Sequence, residues 1–192
     1  LHLSIRRQRQ MCIRDRDIWA CDFVQTYDVF FRTIFVFVII ELESRRVVHV
    51  NVTRHPTDTW VAQQLREATP FGEQPVYLIR DNDRKFGEHF ANVAAEIEVL
   101  RTPIRAPRAN AYCERFIGSL RRECLDHILI LSEKQLRRLV NEYVQYFNKD
   151  RPHQGIHQRI PAQLEASRLH EGEIVTRPVL GSLHHAYHRQ AA

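Results

Sequence analysis

The segment Pro107-Arg-Ala-Asn-Ala-Tyr-Cys-Glu-Arg-Phe-Ile-Gly-Ser-Leu-Arg121 decides how the rest of the chain is interpreted. Asn110 is a typical helix cap, and an apolar stripe follows it at three- and four-residue steps, which predicts a helix packed on a core. The stripe consists of Cys113, Phe116, Ile117, Leu120 and Cys124. Glu114 lies beside the stripe, and Arg121 lies about two turns later on the same helix face. This pair could hold a metal ion next to a phosphate, or it could be a solvated helix edge.

The composition is that of an ordinary globular protein with unevenly distributed charge. The chain has 192 residues, of which 44% are hydrophobic and 27% are charged, enough for one domain with a real core. The net charge is +5, but residues 1–16 contribute +4 of it through five arginines and one aspartate. The remaining chain is close to neutral, so its overall charge says little about a polyanionic partner.

Residues 1–16 differ in character from the rest of the chain. The run Arg6–Arg16 resembles a translated sequencing adapter, and it lacks the apolar core that follows the arginines of a signal peptide. A basic arm that binds DNA is the alternative. We interpret residues 1–16 as a non-native segment, residues 17–165 as the principal domain and residues 166–192 as a C-terminal tail.

The pattern after Asp17 predicts an α/β fold. Residues 18–26, 31–42 and 46–53 are β-prone runs separated by short turns, which predicts an antiparallel meander. Helices over 56–68 and 86–96 then alternate with short strands over 75–80 and 98–102, and an amphipathic helix over 132–148 follows. We predict a mixed five-stranded sheet with helices on both faces.

Three acidic residues stand where such a fold can bring them together. Asp22 interrupts the first strand, where a buried charge is costly unless it is compensated. Asp81 follows the strand over 75–80, and open sheets form their sites beyond the carboxyl ends of strands. With Glu114 they would supply the hard oxygen ligands that a pair of Mg²⁺ ions needs for phosphate chemistry. Each alone is more often a surface charge, but their joint positions favour a metal site.

The chain resembles the catalytic core of the DDE transposases of bacterial insertion sequences, which are similar to retroviral integrases. The resemblance extends over residues 17–187. It is carried by Ala20–Phe23, Leu78–Phe86, Asn110–Phe116, Tyr146–Asn148, Arg151–His153 and Pro161. It implies a ribonuclease-H-like fold and makes residues 17–165 an integrase-like catalytic core. Asp83, where many members have Gly, and a slightly short spacing between Asp81 and Glu114 depart from the pattern.

The resemblance also implies roles for individual residues. Asp22, Asp81 and Glu114 match the family's three catalytic, metal-binding carboxylates, and Arg121 matches a basic residue that contacts DNA near the reacting phosphate. The implied reaction is DNA cleavage and strand transfer with two Mg²⁺ or Mn²⁺ ions. The implied partners are element ends and target DNA, which a homo-oligomer would bind. The implied location is the bacterial cytoplasm, and no membrane partner is implied.

Arginines surround the predicted site. Arg105 and Arg108 lie in a loop that contains two prolines, and Arg115, Arg121 and Arg122 lie on the helix that follows. A run of charge is usually only solvated, but this one flanks a predicted phosphoryl-transfer site. We therefore interpret these five arginines as DNA-contacting residues. Nothing in the sequence resembles a recognition helix for base-specific contacts.

Two other functions fit the same residues. A metal-dependent nuclease on this fold would cut nucleic acid without joining strands. An inactive DNA-binding remnant would need no carboxylates, and the intact set of three argues against it. The spacings of histidine and cysteine do not match a zinc site, and the few, scattered cysteines fit a reducing cytosol.

Overall fold

The computed structural model describes residues 17–70, 73–102, 110–164 and 172–190. Its centre is a mixed five-stranded sheet in the order β3-β2-β1-β4-β5. The strands are β1 (Ile18–Tyr27), β2 (Thr33–Glu41), β3 (Val47–Thr53), β4 (Tyr77–Arg80) and β5 (Glu98–Arg101). The first three form the antiparallel meander that the sequence predicts, and the last two run parallel to β1.

In the described part of the chain, four α-helices cover the sheet. They are α1 (Asp58–Ala68), α2 (Glu88–Val93), α3 (Ala111–Glu123) and α4 (Glu133–Lys149). Short 3₁₀ turns follow at Leu125–His127, Gln154–Ile156 and Pro161–Gln163. The helix predicted over 86–96 is shorter in the structure, because the amides of Ala94 and Ile97 close successive turns that lead into β5.

The two faces of the sheet carry separate hydrophobic cores. Successive side chains of a strand point to opposite faces, so β2 contributes to both cores. Val36 and Val38 lie in the core shared with α3 and α4. Phe37 and Ile39 lie in the core shared with α1 and α2. This arrangement confirms the predicted fold class, a mixed sheet with helices on both faces.

The amphipathic stripe of α4 is buried as the sequence predicts. Its buried residues are Leu136, Leu139, Val140, Tyr143, Val144 and Phe147. The Ser132 hydroxyl caps the helix by accepting from the amide of Gln135 at 3.1 Å. The Gln135 side chain accepts from the Leu131 amide at 2.7 Å, so both members of the predicted capping signal stabilise the helix start.

Asp58 joins α1 to the start of α2. Its carboxylate accepts hydrogen bonds of 2.8–2.9 Å from the amides of Gly87, His89 and Phe90. Although burial opposes the shift, these amides hold the pKa of Asp58 below its ordinary value. A Cβ at position 87 would lie only 2.7 Å from Asp58 Oδ2, so this close approach requires Gly87. The contact fixes the segment that follows Asp81.

Replacing Asp58 with Ala is expected to lower the free energy of unfolding by about 1–2 kcal/mol, because the start of α2 loses its capping carboxylate. Urea denaturation at neutral pH would measure the loss. Thr59→Ala, at an exposed neighbouring position of α1, is the matched control and is expected to change stability by less than about 0.5 kcal/mol. Equal losses in both variants would contradict a capping role for Asp58.

A β-hairpin near the C-terminus packs against α3 and α4. It consists of β6 (Ile174–Val179) and β7 (His184–Arg189) and buries Val179, Leu180 and Ala186 in the α3–α4 core. The His184 ring stacks on Tyr146 with centroids 5.2 Å apart. The sequence analysis did not predict this hairpin within residues 166–192. In the described parts of the chain, no helix is long and apolar enough to cross a membrane.

Candidate active site

Two neighbouring strands carry the first two predicted carboxylates. β1 is the central strand, and β4 pairs with it in parallel, with Ala20 opposite Ile79. Two residues further along each strand, this register leads to Asp22 within β1 and to Asp81 directly after β4. The parallel pairing therefore places the two aspartates side by side, although 59 positions separate them in the sequence.

The third predicted carboxylate lies on α3, which packs against β1. Cys113, Phe116 and Leu120 fix the helix by pointing into the core. Glu114 lies in the first turn and is exposed. The stripe predicted from the sequence therefore orients α3 with its acidic residue away from the core.

The electrostatic environment of Asp22 connects these acidic residues. Burial is the largest cause that raises the pKa of Asp22 from its ordinary value of 3.8 to about 6. The amide of Phe23 donates to Asp22 Oδ1 at 2.7 Å and opposes the rise. The charges of three nearby carboxylates add to it, those of Asp81, Glu114 and Asp83. Asp81 and Glu114 are therefore near enough to Asp22 for their negative charges to affect its pKa.

Asn110 stands at the predicted cap position of α3, but its side chain makes a contact that the sequence did not indicate. It precedes α3 at the cap position, but its side chain makes no capping hydrogen bond. Instead, Asn110 Nδ2 donates to Asp22 Oδ2 at 3.0 Å, across 88 positions of sequence. Asn110 is buried, and its Oδ1 has no hydrogen-bond partner among the described residues. A local pattern could not reveal this bond, because the partner lies on a distant strand.

Asp83, the departure from the family pattern, is paired with a lysine. Its carboxylate accepts from the amide and the ammonium group of Lys85. Burial opposes the shift, but these contacts with Lys85 hold the pKa of Asp83 below its ordinary value. The Lys85 ammonium also lies 5.0 Å from the ring centroid of Phe23. The charge of Asp83 is therefore partly compensated by Lys85, although it still contributes to the raised pKa of Asp22.

The donor set fits a divalent cation in chemistry. Carboxylate oxygens are the ligands that Mg²⁺ prefers, and a cation would offset the burial and the neighbouring carboxylate charges that raise the pKa of Asp22. In the described ranges, however, no three or more His, Cys, Asp or Glu side chains lie close enough together to hold a metal ion. The carboxylates can raise the pKa of Asp22 without forming a ligand cluster, because charges interact over longer distances than the bonds between a metal and its ligands.

The structure describes three of the five predicted DNA-contacting arginines and places them on different faces of α3. Arg121 lies along β1, where its Nη2 donates to the carbonyl of Gln25 at 2.8 Å. Arg115 and Arg122, seven residues apart, are exposed on a face of α3 that differs from the face of Arg121. Arg105 and Arg108 lie outside the described residues, so their predicted contacts stay predictions.

Cys113 has the character of a core residue. It is fully buried beside Glu114, and burial raises the pKa of its thiol well above the ordinary value. Cys21 and Cys124 are also buried free thiols. A protonated thiol that solvent cannot reach is a poor nucleophile. Any reaction at this site would therefore depend on the acidic residues and not on Cys113.

One segment of the chain matches a known family. Residues 95–161 match the family described as the integrase core domain. This segment contains α3 with Glu114, all of α4, and the Arg151–His153 motif. Asp22 and Asp81 lie before it.

Two insertion-element proteins are similar to most of the chain. An uncharacterized 39.2 kDa protein of insertion element IS476 from Xanthomonas euvesicatoria is 28% identical over 154 residues, which cover 79% of this chain and 44% of that protein. An uncharacterized 31.7 kDa protein of insertion element IS407 from Burkholderia multivorans is 23% identical over 174 residues, which cover 84% and 63%, respectively. The chain therefore spans about half the length of the curated relatives it matches.

Solved integrase structures share the fold. The simian T-cell lymphotropic virus intasome, solved with the PP2A regulatory subunit B56 gamma, matches with a TM-score of 0.66 at 14% identity, over 90% of this chain and 66% of that one. The HTLV-2 integrase catalytic core domain in complex with magnesium matches with a TM-score of 0.62 at 15% identity, over 79% and 97%. At these identities the likeness is one of fold.

The sheet order and these matches show that the chain has the ribonuclease-H-like fold of integrase and transposase catalytic cores. The matched segment and the two insertion-element relatives support the resemblance to a transposase or integrase catalytic core that the sequence motifs indicate.

Proposed function

We propose that the chain is the catalytic core of a transposase that cleaves DNA at the ends of its element and joins them to target DNA. The observation that carries the proposal is the placement of Asp22 and Asp81 on neighbouring parallel strands, with Glu114 on the helix that packs against β1. The insertion-element relatives support a mobile-element origin. Because two element ends must be joined together, we propose a homo-oligomer that acts on DNA in the bacterial cytoplasm.

Asp22, Asp81 and Glu114 would hold two divalent metal ions, Mg²⁺ or Mn²⁺, whose chemistry would be Lewis-acid activation of a water or 3′-hydroxyl nucleophile and stabilisation of negative charge on the leaving oxygen. Asn110 orients Asp22 through the bond to its Oδ2, and the Phe23 amide fixes the other oxygen. These two bonds pre-organise one carboxylate before DNA arrives.

Arg121 would contact the DNA strand that enters the site. Its bond to the Gln25 carbonyl uses only one of the five N–H groups of a guanidinium, so further donors are available to a phosphate. Gln25 is three residues beyond Asp22 on β1, roughly 10 Å along an extended strand. Arg121 is thus suited to hold a phosphate neighbouring the one that reacts.

Strand transfer with a labelled, pre-cleaved donor end and a plasmid target is the direct test. We expect joined product in Mg²⁺ or Mn²⁺ and none in EDTA, because the carboxylates alone cannot activate the nucleophile. Metal-dependent nicking without joining would instead indicate a nuclease. Joining that persists in EDTA would contradict the metal-dependent mechanism.

A further inference from the structure

A second basic feature lies on another face of α3. A cavity of about 550 Å³ opens between the start of α3, the β2–β3 turn and the segment after α4. Three arginines line it, Arg45, Arg115 and Arg151, and its described lining contains no Asp or Glu. We name this cavity the arginine pocket. A cavity with one sign of charge concentrates counter-ions, so its natural ligand is an anion.

Arg45 is held in place with a donor unused. Its guanidinium stacks on the Tyr112 ring, 3.5 Å from the centroid, and its Nη1 donates to the Leu42 carbonyl. Its Nε is buried and has no hydrogen-bond partner among the described residues. A buried N–H without an acceptor is uncommon in folded proteins. The ring contact with Tyr112 and the bond to Leu42 hold the Arg45 guanidinium in place at the wall of the pocket.

Arg151 and Arg115 differ in how they are compensated. Arg151 pairs with Glu123 at 2.6 Å, and its Nη1 lies 3.0 Å from His153 Nδ1, so it is held in position with much of its charge neutralised. Arg115 is exposed and has no ion-pair partner in the described parts of the chain. The free positive charge of the pocket therefore comes mainly from Arg45 and Arg115.

The size and floor of the pocket favour a nucleotide over a bare phosphate. Its volume is in the range of pockets that take small organic ligands, roughly 300–1,000 Å³. Ile40, Phe116 and Phe147 give it an apolar floor below the arginines. A sugar and base can cover such a floor while their phosphate meets the guanidinium groups.

The position of Arg115 connects the pocket to DNA. Arg115 directly follows Glu114 on α3, so the pocket and the candidate catalytic site open from the same turn of one helix. We propose that the arginine pocket binds one nucleotide of a DNA strand, with its phosphate on Arg45 and Arg115. The identity of the strand rests on the proposed function, whereas the preference for a nucleotide rests on the pocket itself.

Gly155 offers a test that keeps every arginine. A Cβ at position 155 would lie 3.9 Å from Arg115 Nη1, at ordinary contact distance, so a side chain can be added there. Gly155→Glu would place a carboxylate beside Arg115, and Gly155→Gln is the uncharged control of the same size. Arg45→Gln tests the second guanidinium, and Arg66→Gln, at an exposed position of α1, is its control.

Fluorescence anisotropy with a labelled oligonucleotide in EDTA would measure DNA affinity against salt concentration. We expect Gly155→Glu and Arg45→Gln to bind about tenfold more weakly than their controls. The slope of log K against log salt is negative, and its magnitude should decrease by about 0.7–0.9, the value for one lost phosphate contact. Equal affinities and slopes in each variant and its control would overturn the proposal. Thermal melting would confirm that all four variants fold.

Two further measurements identify the ligand. A deoxynucleoside monophosphate or inorganic phosphate could raise the melting temperature of the wild-type protein but not that of Gly155→Glu or Arg45→Gln. If DNA affinity were unchanged in both variants, this result would assign the pocket to a free anion and overturn the proposal. The molar mass measured by light scattering could differ between the two pocket variants and their controls. If DNA affinity were again unchanged, this difference would assign the pocket to a second copy of the chain. DNA binding through the pocket without strand transfer would leave this inference standing and reject the proposed function.

Discussion

Replacing Glu114 with Gln is expected to lower the rate of strand transfer by about 10³-fold or more, which corresponds to about 4 kcal/mol of transition-state stabilisation. The substitution keeps the size of the side chain and removes its charge, so the proposed metal ions lose a carboxylate ligand. Glu114 is exposed, and we therefore expect the variant to keep its free energy of unfolding within about 0.5 kcal/mol.

The assay should compare single-turnover joining rates in Mg²⁺ for both proteins. Glu88→Gln, which removes an exposed carboxylate from the first turn of α2, is the matched control and should retain full activity. A loss restricted to Glu114→Gln, with DNA affinity in EDTA unchanged, would assign the residue to the chemical step. Retained joining in Glu114→Gln would exclude it as a metal ligand.

Replacing Asp22 with Asn is expected to stabilise the protein while it abolishes activity. The pKa of Asp22 is raised from 3.8 to about 6 in the folded state, mainly by burial. Above pH 6 the carboxylate is ionised in both folded and unfolded states, and its ionisation costs the folded state up to about 3 kcal/mol. Below pH 3.8 it is protonated in both states, so the cost is absent.

Urea denaturation in EDTA at pH 7.5 and at pH 3.5 would measure this difference. The gain from Asp22→Asn should approach about 3 kcal/mol at the higher pH and disappear at the lower one. Asp126→Asn, at an exposed position away from the sheet, should show no such dependence. A gain that is equal at both pH values would show that the effect does not arise from ionisation of Asp22.

The elements with strong local signals were predictable from the sequence. The stripe of α4 is periodic and amphipathic, and all six residues predicted to be buried are buried. The meander was predictable because short turns separate runs rich in β-branched residues. The predicted length of α2 was too great. Residues that favour a helix continue past Val93, but pairing with β4 makes the chain enter β5 soon afterwards.

Features that depend on distant residues could not be predicted. Asn110 has a strong local preference for capping a helix, but its bond to Asp22 depends on the packing of α3 against β1. The arginine pocket joins Arg45 to Arg151, which lie in different turns more than a hundred positions apart. The β6–β7 hairpin is rich in exposed polar side chains, so its strands lack a clear alternating pattern.

The C-terminal hairpin has a genetic consequence. A stop codon directly after Leu164 would spare Asp22, Asp81 and Glu114. It would nevertheless remove the apolar side chains with which the hairpin completes the α3–α4 core, together with the ring of His184, whose Nε2 lies 2.6 Å from the Glu123 carbonyl at the end of α3. Since α3 carries Glu114, late nonsense mutations would inactivate a copy of the gene without changing a codon of any proposed catalytic residue.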